Sequence, residues 1–178
     1  MPRHLVTGGA RSGKSAFAEA LARASGLQTS YIATAAPGDA EMRERIARHR
    51  ARRPAAWRTV ECGSDLAGAL AREARAERCV IVDCLTLWLA GLIDDDRLSR
   101  VETGRKELLV ALAAAAGTVL VVTNELGSGV VPAGRLSREF VDEHGFTNQR
   151  VAALCEDVTL MVSGCALPLR RGGANPSS

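Results

Sequence analysis

Short continuous apolar runs alternate with stretches of helical periodicity along nearly the whole chain. His4–Thr7, Ser30–Ala33, Trp57–Val60, Cys79–Val82, Val119–Thr123 and Val158–Val162 read as strands. The last three are unbroken and rich in Val and Ile, as strands buried on both faces of a parallel sheet are. Between the strands, Lys14–Ala24, Ala40–Arg52, Asp65–Arg75, Leu85–Ile93, Arg97–Ala115 and Ser137–Cys155 carry helical patterns. This alternation predicts an α/β domain, a mostly parallel sheet with helices on both faces. Ala166–Leu169 is a further apolar run, expected as an edge strand. Residues 171–178, RGGANPSS, are expected to be a disordered tail, which leaves 1–170 as a single domain.

Composition narrows the class. With 178 residues, 47% apolar and 24% charged, the chain can bury a core of its own. That excludes a disordered chain, a collagen-like repeat and a small disulfide scaffold. Apolar runs such as Leu108–Ala116 fall far short of the roughly 20 residues a membrane span needs, so no membrane partner is expected. The start, MPRHLVTGG, has no apolar core of a secretory signal, and a cytoplasmic protein is expected. Cys62, Cys79, Cys84, Cys155 and Cys165 show neither CxxC spacing nor His partners at zinc-finger distances, and read as small hydrophobes in a reducing compartment. A net charge of +3 and 3% aromatics argue against a nucleic-acid partner. The basic residues are lopsided, 21 Arg against 2 Lys, which draws notice to Lys14.

Lys14 lies in GGARSGKS, which fits G-x-x-x-x-G-K-[ST] at every fixed position: Gly8, Gly9, Ala10, Arg11, Ser12, Gly13, Lys14 and Ser15. An apolar strand precedes it and a helix-forming run follows. Glycines let backbone N–H groups curl around phosphate oxygens, and the helix N-terminus adds its positive dipole. Lys14 is expected on the β- and γ-phosphates, and the Ser15 hydroxyl on Mg²⁺. The run CVIVD ends in Asp83, at the C-terminal end of a buried strand. There it is a candidate second ligand of Mg²⁺ or, alternatively, a cap for the helix from Leu85. Asn124 and Glu125 close the strand VLVVT in the same manner and are expected to face the same site.

The stretch 39–54, DAEMRERIARHRARRP, predicts a helix capped by Asp39 and stopped by Pro54. His49 shares an apolar stripe with Met42 and Ile46, among many arginines. Three readings need no catalytic histidine: a core histidine beside solvated arginines, a nucleic-acid patch, or a second polyphosphate site. A fourth gives His49 a chemical use. Cationic neighbours disfavour the imidazolium, and a neutral imidazole can attack the α-phosphorus of a nucleoside triphosphate. His4 is assigned to the first strand; His144, ahead of Gly145, reads as a turn residue.

GGARSGKS, YIATA (31–35), RIARHRARRPAAWRTVE (45–61), VTNELGSGVVP (122–132), NQR (148–150) and VSG (162–164) together resemble one family. It is the bifunctional adenosylcobinamide kinase / adenosylcobinamide-phosphate guanylyltransferase of cobalamin biosynthesis. The P-loop alone is shared by many unrelated proteins; the His49 and Asn124 segments are far more specific. The resemblance implies a RecA-like P-loop sheet with one antiparallel strand. It implies phosphorylation of adenosylcobinamide with ATP or GTP, then transfer of GMP from GTP to adenosylcobinamide phosphate with release of pyrophosphate. The family's GMP-histidine maps onto His49. Its nucleotide contacts map onto Gly8–Ser15, Ala33, Thr34, Ala35, Arg50, Ala51, Arg52, Arg53, Glu61 and Asp83. It also implies a ring-like oligomer, typically a homotrimer. Some members carry two adjacent histidines where this chain has Arg48 and His49. Two other readings compete: a P-loop kinase for a different small molecule, with no use for His49, and a RecA-like ATPase that binds nucleic acid through the Arg43–Arg58 surface.

Overall fold

The computed structural model describes residues 2–35, 43, 44, 47, 50, 51, 53–93 and 99–172. In chain order the elements are β1 (Arg3–Gly8), α1 (Lys14–Ala24), β2 (Gln28–Ala33), β3 (Arg58–Glu61), α2 (Leu66–Glu73), β4 (Arg78–Asp83), α3 (Leu85–Ala90), α4 (Ser99–Ala114), β5 (Thr118–Val122), α5 (Arg135–Leu154), β6 (Asp157–Val162) and β7 (Cys165–Arg170). The strands form one sheet in the order β3-β2-β4-β5-β1-β6-β7. Every neighbouring pair is parallel except β6 with β7.

Both faces of this sheet are covered, which is why its strands are continuously apolar rather than alternating. In β4, Cys79 and Ile81 pack with Ala18 and Ala22 of α1. Val80 and Val82 point the other way, into a core with Leu66 and Leu70 of α2, Trp88 of α3 and Leu108 and Leu112 of α4. β5 divides likewise, Leu120 and Val122 toward α1, Val119 and Val121 toward the opposite core. Each large side chain so buried contributes roughly 1.5–3 kcal/mol, and the sum fixes the strand order against slippage.

That order opens the site. From β1 the chain crosses to β2, and β4 and β5 later fill the gap between them. The C-terminal ends of β1 to β5 therefore lie along one edge, where ligands gather in open α/β sheets. β7 is the expected edge strand, and its Pro168 is tolerated there because it pairs on one side only.

Several sequence readings need adjustment, among them the helix expected over Leu85–Ile93, which ends at Ala90. β3 starts at Arg58, one residue after Trp57, and α5 starts at Arg135, ahead of Ser137. His144 is not in a turn: it lies inside α5 and is 1% exposed. Its neighbour Gly145 meets nothing within 4 Å, so the helix passes through it at the cost of propensity alone. The buried face of His144, Thr147 and Val151 offsets that cost. Of the predicted helix Ala40–Arg52, positions 43, 44, 47, 50 and 51 are helical; His49, Arg48 and Arg52 lie outside the described residues, as do 173–178 of the predicted tail. No helix among the described residues is long and apolar enough to cross a membrane.

Candidate functional site

The GGARSGKS loop bridges the end of β1 and the start of α1, as its spacing predicts. Gly8 has φ +148°, and a Cβ there would meet the Met161 carbonyl oxygen at 2.3 Å, so only glycine fits against β6. Gly13, at φ +98°, is the N-cap of α1. Lys14 opens the helix, is 8% exposed, and donates from Nζ to the Gly9 carbonyl at 2.6 Å. Its ammonium is thus folded back over the loop, where phosphate oxygens would compete for it. The hairpin turn between β6 and β7 supports the loop: Gly164, at φ +82°, donates its N–H to the Ser12 carbonyl at 3.0 Å. The segment VSG thereby gains a physical role that no local pattern indicates.

Asp83 ends β4, separated from β1 by β5 alone. It is not a helix cap, because the N-cap of α3 is Cys84 and no side chain caps that helix. Its carboxylate instead accepts a hydrogen bond from the Tyr31 hydroxyl on β2. Burial and the Asp83 charge together push the Tyr31 phenol well above its ordinary value, so Tyr31 remains a donor. Over the Tyr31 ring, 3.5 Å from its centroid, lies the guanidinium carbon of Arg53. Arg53 Nη1 also reaches Thr59 Oγ1 at 3.4 Å. Arg53, Tyr31 and Asp83 thus form one stack running from the arginine-rich segment to the end of β4. Tyr31 is the only tyrosine of the chain, and the sequence marks it by its place on a buried strand and at the head of YIATA.

The other predicted contacts lie along the same edge. Ala33 pairs with Glu61 of β3 on one side and with Asp83 on the other. Thr34 clasps the residue after Asp83: its hydroxyl accepts from the Cys84 N–H at 2.7 Å and donates to the Cys84 carbonyl at 2.8 Å. Arg50 and Ala51 are exposed on the helical segment before Arg53. The five cysteines are free thiols, and burial pushes Cys79 and Cys84 up to about 11, which suits the inert role expected of them.

Behind β5 lies a cluster whose assembly the sequence does not show: Thr123 and Asn148 fall in the segments 122–132 and 148–150, but Thr86 and His144 carry no site signal. His144 Nε2 is 2.9 Å from Thr86 Oγ1 and 3.3 Å from Thr123 Oγ1. Thr123 donates to Asn148 Oδ1 at 2.8 Å. Burial lowers the His144 imidazole to about 4, against a smaller upward pull from Glu125. Since the folded value lies below the unfolded one, the unfolded chain takes up this proton first as pH falls. Stability is expected to drop between pH 6.5 and about 4, by roughly 3 kcal/mol from this group, and to level off below. Urea unfolding at stepped pH should show that slope, and His144→Gln should remove this part of it; an unchanged slope would refute the assignment.

The family model described as cobinamide kinase / cobinamide phosphate guanyltransferase matches residues 4–169. The chain is 54% identical over 168 residues to the bifunctional adenosylcobalamin biosynthesis protein CobP of Pseudomonas aeruginosa, covering 94% of this chain and 97% of the relative. It is 37% identical to the bifunctional adenosylcobalamin biosynthesis protein CobU of Salmonella typhimurium, covering 93% and 98%. Among solved structures it is similar to the RadB recombinase, with TM-score 0.54 and 16% identity over 96% of this chain and 81% of that one. The last likeness shows the RecA-like P-loop fold and nothing of function.

Proposed function

The chain belongs to the cobinamide kinase / cobinamide phosphate guanyltransferase family, and on that premise we propose that its one P-loop domain, residues 1–170, phosphorylates adenosylcobinamide and then transfers GMP to the product. The carrying observation is the placement of the Lys14 ammonium over the phosphate loop with Asp83 at a strand end on the same sheet edge. In the first reaction the acceptor hydroxyl attacks the γ-phosphorus of ATP or GTP. The nucleoside diphosphate leaves and the hydroxyl proton is released. Lys14 holds the β- and γ-phosphates, and the loop N–H groups hold the rest of the chain of phosphates.

Mg²⁺ fits this site by the chemistry of its donors. Ser15 and Asp83 offer hard oxygen ligands, and Tyr31 occupies only one oxygen of the Asp83 carboxylate. When bound there, Mg²⁺ would neutralise charge on the phosphates. Asp83→Asn is expected to shift the Mg²⁺ dependence of phosphorylation to higher concentration by about tenfold. The check is a Mg²⁺ titration at saturating ATP. A curve that overlays the parent's would remove Asp83 from the metal site.

In the second reaction a histidine nitrogen attacks the α-phosphorus of GTP and pyrophosphate leaves. A phosphate oxygen of adenosylcobinamide phosphate then displaces the histidine and yields adenosylcobinamide-GDP. His49 is the proposed nucleophile. Arg50, Ala51, Arg52, Arg53, Glu61 and the strand end Ala33–Ala35 are the proposed nucleotide contacts. A homotrimer in the cytoplasm completes the reading, supported by the family resemblance and by the exposed Leu167 and Leu169 on the outer strand β7. Incubation with adenosylcobinamide, ATP and GTP tests the whole, since both the phosphate and the GDP ester should accumulate in sequence. A chain that makes neither would overturn it.

A further inference from the structure

We propose that the buried polar cluster behind β5 sets the side-chain amide of Asn124 against the phosphoryl group transferred in the kinase reaction, with Asn124 as the contact and Thr86 and His144 as positioning residues. The proposal rests on the reading that Gly8–Ser15 holds the nucleotide phosphates.

The place of Asn124 comes from the sheet. Thr123 donates its N–H to the Val6 carbonyl and Glu125 donates to the Gly8 carbonyl, each at 3.0 Å. Asn124 is carried between them, beside the first glycine of the loop. On the other side of β5, Val122 pairs with Asp83. Asn124 therefore stands between the phosphate loop and the carboxylate, and it is half-buried rather than sealed in.

The hydrogen bonds of the cluster converge on this residue. Thr86 Oγ1 accepts from the Asn124 N–H at 3.1 Å and from Asn124 Nδ2 at 3.0 Å. Asn148 Nδ2 donates to the Asn124 carbonyl at 3.0 Å. With both lone pairs of Thr86 used, its hydroxyl proton points to His144 Nε2, so that nitrogen acts as an acceptor. The low proton affinity of this buried imidazole keeps it so. On this assignment the approaches of Thr123 Oγ1 to Nε2 and of Asn148 Nδ2 to Nδ1, at 3.3 and 3.4 Å, are contacts without a shared proton, because Thr123 donates to Asn148 Oδ1 and Nδ1 carries the ring proton. Three polar groups of Asn124 are thus held. What remains for the site is Oδ1 and the second Nδ2–H, and the N–H is the one that can donate to a phosphoryl oxygen.

Such a cluster is costly as mere packing. Thr123 is 0% and His144 1% exposed, where apolar residues of similar size would fill the same space without desolvating polar atoms. Its bonds end on one half-exposed amide beside the loop, which is what a positioning device requires.

The test uses the full chain and steady-state phosphorylation of adenosylcobinamide by ATP, with ATP affinity and melting temperature measured in parallel. Asn124→Ala and Asn124→Asp are expected to lower kcat about a hundredfold with little change in the KM for ATP, since both lose the amide donor. Thr86→Val and His144→Leu should each lower kcat about tenfold. Their double variant should be no slower than the slower single, because both act on the same amide. His144→Gln should recover most of the rate, its amide oxygen accepting from Thr86. Asn124→Asp at the parental rate, or Thr86 and His144 variants that melt early yet turn over normally, would overturn the proposal. So would multiplicative losses in the double variant. If His144→Leu fails to fold, the Asn124 and Thr86 variants decide. Lys14→Ala separates the two readings: full activity in that variant would sink the phosphate-loop reading, whereas its loss alongside active Asn124 variants would sink only this proposal.

Discussion

Replacing Lys14 with alanine should abolish phosphorylation of adenosylcobinamide, with a loss of at least about a hundredfold in kcat/KM. The ammonium is the only cationic side-chain group within the loop sequence besides Arg11, and it already lies over the loop, on the Gly9 carbonyl. A neutral carbonyl gives it one charge-assisted hydrogen bond. The β- and γ-phosphates offer several charged oxygens, and the charge on them shifts during transfer. An ammonium held there lowers the barrier as well as the dissociation constant. Lys14 is buried, so alanine would also remove packing along its stem. Lys14→Met keeps that stem and should be as inactive as alanine, with a melting temperature closer to the parent's. ATP titration and initial rates check both variants. An active Lys14→Met enzyme would show that the ammonium does not serve the phosphates.

How much of this was legible follows from how far apart the cooperating residues lie. The phosphate loop is written in eight consecutive residues, so spacing alone predicted it, and the glycine at position 8 proves sterically required. Continuous apolar strands announced a sheet covered on both faces, and the two cores confirm why. Asp83 was visible as a carboxylate after a buried strand, but its partner was not. Tyr31 is 52 residues away and meets it only because β2 pairs with β4. The cluster at Asn124 is further from view. It needs Thr86 from α3, Thr123 from the end of β5, and His144 and Asn148 from α5. No window of sequence contains them together. His144 was misread for a local reason, the adjacent Gly145, which tertiary packing of the helix overrides.

The largest effect on the second reaction is expected at His49, which lies outside the described residues. The segment that carries it is nevertheless tied down close by. Arg53 donates its N–H to the Arg50 carbonyl at 3.2 Å, and its guanidinium stacks on Tyr31, whose hydroxyl holds Asp83. The chain following His49 is therefore anchored at the end of β4, on the edge that bears the phosphate loop. On the proposed reading, the arginines near His49 in sequence would favour its neutral form and hold the charge of departing pyrophosphate. Carrying GMP on nitrogen splits one displacement into two. His49→Asn, close in size and still polar, should form no GMP adduct with radiolabelled GTP and should lose guanylyl transfer by about a thousandfold or more. Phosphorylation of adenosylcobinamide should persist in the same variant, because Lys14 and the loop are untouched. The parent's adduct should be acid-labile and base-stable, as a phosphoramidate is. An adduct in His49→Asn that peptide mapping places on another residue would move the nucleophile elsewhere; loss of both activities together would mean that the segment serves folding or nucleotide binding instead.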